Sequence, residues 1–467
     1  MTVPPDDAVR SLWQGLGLAE ASLAALRITG AEPVLPSSFA VGTAAQAALA
    51  AAALAAVEIG RTRGLPPQEV AIDMREAALE CCGAFTVDGK KPLVWDPIAG
   101  LYPCAGGGPF DWVRLHTNFA HHRDGTLRLL GLPPGPATTR DEVGAALREW
   151  QAEVFEAAAA EAGLVVAALR SFDAWEQHPQ HSAVAALPLI EITRIGDAPP
   201  RAWPALAPAA RPLEGLRVLE MTRILAGPVA GRTLAGYGAD VMLVNAPHLP
   251  NIDAIADTSR GKRSALADLR DPADRAGLAA ALSESHVFLQ SYRPGSLETF
   301  GLGPADAARL CPGIICVSLS AYGRAGPWSA RRGFDSLVQT ATGFNDAEAR
   351  AAGSSTTPRP LPMQLLDMAS AFLLAFGAQA ALLRQQEQGG SWQVQVSLAR
   401  TGLWLRSLGR VADGFSAPPP AFSAQMETVD SGFGRLQALR HAAHLSATPA
   451  RHVRPSAPPG TDRLAWT

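Results

Sequence analysis

The sequence is poor in charged residues and in cysteine for a chain of its length. Only 18% of the 467 residues are charged, and the formal net charge is −3. Proteins that bind nucleic acid by bulk electrostatics have a basic surplus, so we expect no nucleic-acid partner. There are five cysteines, an odd number without a CxxC pair: Cys81, Cys82, Cys104, Cys311 and Cys316. These absences argue against a disulfide framework or a zinc site, and they favour a reducing cytoplasm.

Other missing signals concern metals, export and membranes. His116, His121 and His122 have no further ligand at a helpful spacing, so we predict surface or packing roles and no metal site. The first ten residues, MTVPPDDAVR, lack a basic region followed by an apolar one, so no secretory signal is expected. Residues 39–57 are nearly free of polar side chains but consist mostly of alanine, a weakly apolar helix former. We expect a buried helix there and no contact with a membrane.

The chain has ample material for a core and divides into regions. Apolar residues make up 48% of it, and its length suits two or three domains. We predict a helix–strand–helix unit in 1–90 and a small α+β domain in 91–200. Residues 201–213 form a Pro/Ala linker, because repeated proline blocks helix formation. Residues 214–410 form a large domain, and 411–467 a loop-rich tail.

The large domain alternates short apolar stretches with helical ones. Predicted strands cover 216–221, 239–244, 264–269, 287–292, 313–323 and 392–398, and predicted helices cover 229–237, 271–282 and 367–386. Such alternation predicts a parallel sheet covered on both faces, with ligands beyond the carboxyl ends of its strands. The predicted fold class is therefore α/β, a Rossmann-like parallel sheet with flanking helices plus a smaller α+β domain.

Five segments of the large domain, in order, resemble the family III CoA-transferases of the carnitine/bile-acid-inducible type. They are LEGLRVLEMTRILAGPVAGRTLAGYGADVMLV, SRGKRSALADLRDP, QSYRPGSLETFGLG, ICVSLSAYGRAGPW and RRGFDSLVQTATG. The resemblance covers about 214–400, and 91–200 looks like the small domain of the same family. Departures lie near the expected CoA groove, where a usual Lys and Glu are Leu243 and Asn245.

The first region looks like a second, degenerate copy of a late segment of this family. Thr43–Met74 aligns without gaps on Asp367–Leu398, and both stretches have an Ala-rich helix, a turn and an alternating apolar strand. The resemblance then implies a rearranged or partly duplicated chain order. A fused, partly deleted duplication and a permuted variant both remain open.

Asp367 stands at the head of an apolar helix. By itself an aspartate at that place is typically an N-cap. The resemblance implies instead that Asp367 is the catalytic nucleophile, which attacks an acyl-CoA and forms an aspartyl-CoA intermediate. Aspartate is ordinarily ionised at neutral pH, so we expect no need for a general base. The matching residue of the first copy, Thr43, implies that this copy is catalytically silent.

Other residues are expected by resemblance to contact CoA. They are Leu225 and Ala226 in the first turn, the basic cluster Arg260, Lys262 and Arg263, the segment Ser291, Tyr292 and Arg293, and the strand end with Ser320 and Tyr322. A basic cluster suits a diphosphate. The alternatives are a solvated turn for the cluster and ordinary loop packing for the rest.

The implied function is transfer of CoA from an acyl-CoA to a small carboxylic acid. Coenzyme A would enter as part of the substrate, and no tightly bound cofactor is expected. An acyl-CoA racemase of the same superfamily is an alternative, although Phe334 replaces the histidine of its G-H-D segment. A non-catalytic CoA-binding protein is another. The acyl donor, the acceptor, and homodimer versus internally fused monomer stay open.

Overall fold

A computed structural model of the chain describes residues 2–354 and 356–466. The first region contains the predicted helix–strand–helix unit. Its elements are α1 (Pro5–Gly15), β1 (Leu26–Thr29), α2 (Val41–Thr62), β2 (Val70–Asp73), α3 (Met74–Cys81) and β3 (Phe85–Val87). Strands β1 and β2 pair in parallel. Asp73 caps α3 by accepting the backbone N–H groups of Arg75 and Glu76.

The second region forms a small module with its own core. Its elements are β4 (Gly100–Pro103), β5 (Trp112–Leu115), α4 (Ala120–Leu129), α5 (Arg140–Leu147), α6 (Ala152–Glu161), β6 (Val166–Ala168), α7 (Phe172–Gln177), α8 (Pro179–Ala185) and β7 (Glu191–Gly196). Strands β4, β5 and β6 form an antiparallel sheet. Val113 and Leu115 of β5 and Phe155 of α6 are fully buried in the core of this module.

The third region builds the main sheet. Its elements are β8 (Arg217–Met221), α9 (Ala226–Gly236), β9 (Asp240–Asn245), α10 (Ile255–Thr258), β10 (Lys262–Leu266), α11 (Pro272–Ser283), β11 (Val287–Gln290), α12 (Pro304–Leu310), β12 (Ile315–Ser320), α13 (Asp335–Ala341), α14 (Phe344–Ala351), α15 (Leu365–Gln388), β13 (Ser391–Ser397) and α16 (Leu398–Ser407). The strand order is β10-β9-β8-β11-β12-β13-β7. All pairs except β13–β7 are parallel, which confirms the predicted α/β class.

Two features differ from the predicted organisation. Strand β7, inside the predicted small domain, pairs antiparallel with β13 and completes an edge of the main sheet. The C-terminal segment contains β14 (Met426–Ser431), β15 (Gly434–Leu439) and β16 (His444–Leu445), which its loop-like composition did not predict. These strands pair with β3 and β2, so the end of the chain returns to the first region. Short 3-10 helices cover Glu20–Ala25, Glu298–Phe300, Gly414–Ser416 and Ser423–Gln425.

The centre of the molecule is formed by α2 packed along α15. Both helices have the length and composition of a membrane span, but 94% and 100% of their most apolar windows are buried inside the protein. The many alanines of α2 allow the two backbones to approach closely. The Gln379 side chain on α15 accordingly donates to the Ala52 carbonyl on α2 at 3.0 Å. Residues 39–57 therefore form the predicted buried helix.

Candidate active site

A cavity of 320 Å³ lies at the carboxyl ends of β8, β11 and β12. Parallel α/β sheets bind their ligands at this edge, because the loops there converge. The lining comes from within segments 119–122, 223–227, 291–296, 319–321 and 331–334, together with Leu249, Asp367 and Leu398. The first of these segments belongs to the small module, so both structural units contribute to one cavity.

Asp367 reaches this cavity from the third position of α15. The N-cap of the helix is Gln364, whose side chain makes no capping hydrogen bond. The backbone N–H of Asp367 instead donates to Oδ2 of Asp335 at 2.8 Å. A carboxylate from another element thus satisfies an N–H at the helix start. The alternative role of Asp367 as an N-cap is therefore not the one in the structure, and its own carboxyl faces the cavity.

Asp335 and Asp367 form a buried acid pair. The Asp335 carboxylate also accepts a hydrogen bond from Nε2 of Gln339 at 2.5 Å. Burial raises the pKa of Asp335 to about 6. Burial first, and the charge of Asp335 second, raise the pKa of Asp367 well above its usual range. Because donors stabilise the anion on Asp335, the shared proton rests on Asp367. Our expectation that Asp367 is ionised at neutral pH without help therefore needs correction.

The turn before α9 forms the opposite wall. Ile224 adopts φ 76°, a left-handed conformation that is rare for a β-branched residue and costs free energy. Leu225 follows as the N-cap without a side-chain hydrogen bond. A Cβ on Gly227 would lie 2.6 Å from Cβ of Thr222, so only glycine fits. Residues 224–227 line the cavity, so the helix start with its free N–H groups lies beside it, where such groups suit an anion or an oxyanion.

Three histidines of the small module lie at or behind the cavity. His121 and His122 line it from the first turn of α4, and His116 stacks on Phe334 with ring centroids 3.8 Å apart. Burial, followed by the charges of nearby groups, lowers the pKa of His122 to about 3. Its imidazole is therefore neutral and weakly basic. Within residues 2–354 and 356–466 no three metal-binding side chains cluster.

The structure brings six of the predicted CoA-binding residues to the cavity beside Asp367. They are Leu225, Ala226, Ser291, Tyr292, Arg293 and Ser320. They lie after β8, after β11 and at the end of β12, at the carboxyl edge where the predicted parallel sheet is expected to bind ligands. Their contact with CoA remains a prediction.

Four other predicted residues lie outside the cavity lining. Arg260 is 3% exposed and pairs with Asp257 and Glu427. Lys262 has no exposed side-chain surface and pairs with Glu220 at 2.7 Å.

The remaining two predicted residues, Arg263 and Tyr322, contact other side chains of the protein. Arg263 is bonded to Asp240 at 2.9 Å. Tyr322 is buried against Trp328, with ring centroids 5.0 Å apart. The basic cluster is thus used in internal ion pairs, because strand β10 begins at Lys262 and directs that side chain into the protein.

Sequence reasoning missed several cavity residues. Arg332 lines the cavity, and Asp335 lies behind it and accepts the Asp367 N–H. Both flank the Gly333-Phe334 pair of the GFD segment, so their closeness to the site had a sequence signal. Phe119 and His122 had no such sequence signal, because their position at the cavity depends on how the small module packs against the main sheet. Arg223 lies two residues before Leu225, so the resemblance that identified the turn could also have indicated Arg223.

The start of α2 repeats the backbone geometry at the start of α15 without the carboxyl. Thr43 is the third residue of α2, as Asp367 is of α15. The N-caps Ala40 and Gln364 have φ and ψ of −76° and 61° and of −79° and 63°. The N–H of Thr43 donates to a carboxylate as well, to Oε1 of Glu32 at 2.8 Å. This parallel supports the predicted internal copy.

Comparison with known proteins gives a match over the large domain. Residues 213–409 match the model of CoA-transferase family III. A probable fatty acyl-CoA transferase of Mycobacterium tuberculosis is 34% identical over 236 residues, which are 46% of this chain and 59% of that protein. An acyl-CoA transferase of Gibberella moniliformis is 29% identical over 66% of this chain and 56% of that protein.

Two further similarities complete the comparison. A succinyl-CoA:glutarate CoA-transferase of Mus musculus is 31% identical over 38% of this chain and 43% of that protein. The crystal structure of a CAIB/BAIF family protein from Brucella suis has a TM-score of 0.38 and 24% identity, covering 48% of this chain and 65% of that one. The chain thus spans between 43% and 59% of the length of the curated relatives named here.

Proposed function

We propose that the protein moves CoA from an acyl-CoA thioester to an acceptor carboxylate, because residues 213–409 match the model of CoA-transferase family III. The main support is the position of Asp367, a carboxyl at the head of a buried helix, inside a cavity at the carboxyl edge of the sheet. A cavity of 320 Å³ suits a small acyl group and the thiol end of CoA.

The proposed reaction begins when the Asp367 carboxyl releases its proton to solvent, and the ionised fraction of Asp367 is the nucleophile. It attacks the thioester carbonyl carbon, the C–S bond breaks, and CoA leaves as a thiolate with a mixed anhydride left on the enzyme. The thiolate attacks the aspartyl carbonyl and releases the first acid, which leaves an aspartyl-CoA thioester. The acceptor carboxylate then forms a second anhydride and frees the thiolate. Attack of the thiolate on the acceptor carbonyl gives the new CoA thioester and regenerates Asp367.

The cavity offers what these steps require. Each attack places negative charge on a carbonyl oxygen, and the N–H groups at the start of α9 are suited to stabilise it. The anhydrides must also be protected from water. The neutral His122, with a pKa of about 3, is too weak a base to activate water at neutral pH.

Replacing Asp335 by asparagine is expected to shift the pH dependence of transfer. Attack needs ionised Asp367, so the rate should fall as the pH drops through the pKa of Asp367. The charge of Asp335 raises that pKa, so Asp335→Asn lowers it, and the acid limb of kcat/KM moves to lower pH. The amide oxygen of the asparagine still accepts the Asp367 N–H. An acid limb at the same pH in both proteins would contradict this coupling.

The proposed function is tested by intact-protein mass spectrometry after incubation with a panel of acyl-CoAs. We expect a covalent adduct of the mass of CoA with at least one donor, because the aspartyl-CoA thioester accumulates when no acceptor is present. Folded protein that forms no adduct with any donor would argue against transfer.

A second candidate is proton transfer at the carbon next to the thioester carbonyl. Phe334 removes the histidine of the racemase segment, yet the small module brings His121 and His122 to the same cavity. The raised pKa of Asp367 also suits a carboxyl that exchanges protons. Deuterium uptake at that carbon from heavy water, without a CoA adduct, would favour this candidate. If both the CoA adduct and the deuterium uptake are absent, a non-catalytic CoA-binding protein is favoured.

The partners follow from the proposal. They are an acyl-CoA and a small carboxylic acid, with CoA as part of the substrate. A cytoplasmic location remains a proposal. The small module in the cavity wall supports completion of the site within one chain, as an alternative to completion by the second subunit of a homodimer.

A further inference from the structure

Three arginines at the cavity lack an acidic partner. Arg223, Arg293 and Arg332 all contribute to the lining. Among the residues that the structure describes, no Asp or Glu forms an ion pair with any of them, whereas the neighbouring Arg331 pairs with Glu156 at 3.3 Å. The only carboxyl in the lining is Asp367, which burial favours in its protonated form.

Neutral groups hold two of these arginines in place. Nη1 of Arg332 donates to the Gly163 carbonyl at 3.1 Å and lies 3.3 Å from Nε2 of His122. The Arg223 guanidinium lies over Phe119, 5.0 Å from the ring centroid, and donates to the Pro250 carbonyl. Its Nε is buried without a hydrogen-bond partner. These contacts position the side chains but leave their charge uncompensated.

This concentration of positive charge is unfavourable without a ligand. The charge of Arg293 contributes, after burial, to a lowered pKa of Arg332. The charges of Arg332 and Arg223 likewise contribute to the lowered pKa of His122. Like charges in a partly desolvated cavity repel, and an anion bound among them removes the repulsion and satisfies the open donor.

Two kinds of anion occur in the proposed reaction, the phosphates of CoA and the carboxylates of the acids. Arg332 is separated from Asp335 by two residues, and Phe334 between them is extended with φ −135° and ψ 161°. Their Cα atoms thus lie within about 10 Å. Asp335 in turn bonds the backbone of Asp367. The CoA phosphates lie a whole pantetheine arm from the reacting sulfur, so a charge on the acyl group fits this distance better.

We propose that Arg332, assisted by Arg223, binds the second carboxylate of a short dicarboxylic acid, both as the free acid and as its CoA monothioester. The inference rests on the proposed function and narrows it to a substrate class. Arg332 is then the specificity-determining residue. The planar guanidinium suits bidentate binding of a carboxylate.

The test compares succinyl-CoA with butyryl-CoA, which have four-carbon acyl groups and differ by one carboxylate. CoA loading on the protein is followed by intact mass, and binding of each thioester is followed by calorimetry. We expect the native protein to prefer succinyl-CoA. Arg332→Gln should reduce that preference about 10–100-fold, as for loss of a charged hydrogen bond, and Arg332→Lys should restore part of it. Arg309→Gln, an exposed arginine paired with Asp306, is the matched control and should leave the preference unchanged.

The outcomes separate the two proposals. Equal use of both thioesters by the native protein, or an unchanged preference in Arg332→Gln, would overturn the dicarboxylate site. Weaker binding of free CoA to Arg332→Gln by the same factor would identify the phosphate as the anion and also overturn it. Loading by neither thioester would count against transfer, and calorimetry would still decide whether the dicarboxylate thioester is preferred.

Discussion

Replacement of Asp367 by alanine is expected to abolish the CoA adduct and to lower transfer at least about a thousandfold, the scale on which loss of a nucleophile acts. Among residues 2–354 and 356–466, no other carboxyl lines the cavity. Asp335 lies nearby, but its oxygens are engaged by the Asp367 N–H and the Gln339 amide. It therefore cannot replace the nucleophile. The measurement is the adduct mass together with the initial rate of CoA transfer.

Thr43→Ala is the matched control, because Thr43 has the same place on α2 and is not part of the cavity lining. It should load CoA like the native protein. Full activity of Asp367→Ala, or loss of loading in Thr43→Ala, would contradict the assignment.

The stability of Asp367→Asn gives a second check. A carboxyl whose pKa is raised by folding binds its proton more tightly in the folded state, so it destabilises the protein increasingly as pH rises above the ordinary aspartate pKa. Asparagine removes this cost. At neutral pH the variant should unfold at an equal or higher temperature than the native protein, and the difference should shrink in acid.

Lys262→Met is expected to lower the free energy of unfolding by about 3–5 kcal/mol. Nζ of Lys262 lies 2.7 Å from Glu220 and donates to the Pro228 carbonyl at 2.7 Å. Both charged side chains are completely buried. Methionine fills similar space but leaves the Glu220 carboxylate without its counter-ion, on a central strand of the sheet. Denaturant unfolding at neutral pH measures the loss.

The double variant Glu220→Leu with Lys262→Met separates charge from packing. If the unpaired carboxylate is the cause, removing it as well should recover most of the lost stability, since a buried ion pair replaced by apolar residues is often nearly neutral. A double variant that is less stable than Lys262→Met would indicate that packing around Lys262 matters more.

Local sequence patterns predicted the main sheet well because its strands are short apolar runs between helix signals. Asp271 and Pro272, for example, marked the start of α11 correctly, and Asp271 accepts the Ala273 N–H. The predicted strand at 264–269 is displaced, since β10 spans Lys262–Leu266. A buried lysine at a strand start looks in sequence like a solvated loop, and only its pairing with Glu220 explains its position.

Contacts between distant segments explain the rest of the differences. Strand β7 looked like part of the small module because it follows α8 directly, yet it pairs with β13 of the main sheet. The polar strands β14 and β15 pair with each other, and β15 also pairs with β3 of the first region. At the site, the predicted parallel sheet indicated that loops at the carboxyl ends of its strands form the ligand site, but the approach of His121 and His122 depends on docking of the small module. The periodicity of a sequence predicts helices and strands but not how two separate units pack against each other.

The pairing of α2 with α15 has a consequence for synthesis of the chain. The hydrogen bond from Gln379 to Ala52 joins residues 327 positions apart. During translation the apolar α2 leaves the ribosome long before the helix that buries it exists. Until then its surface is exposed to aggregation or to chaperones. A nascent chain that stops before residue 365 has neither Asp367 nor the partner of α2, so the cavity carboxyl and the burial of α2 become available together.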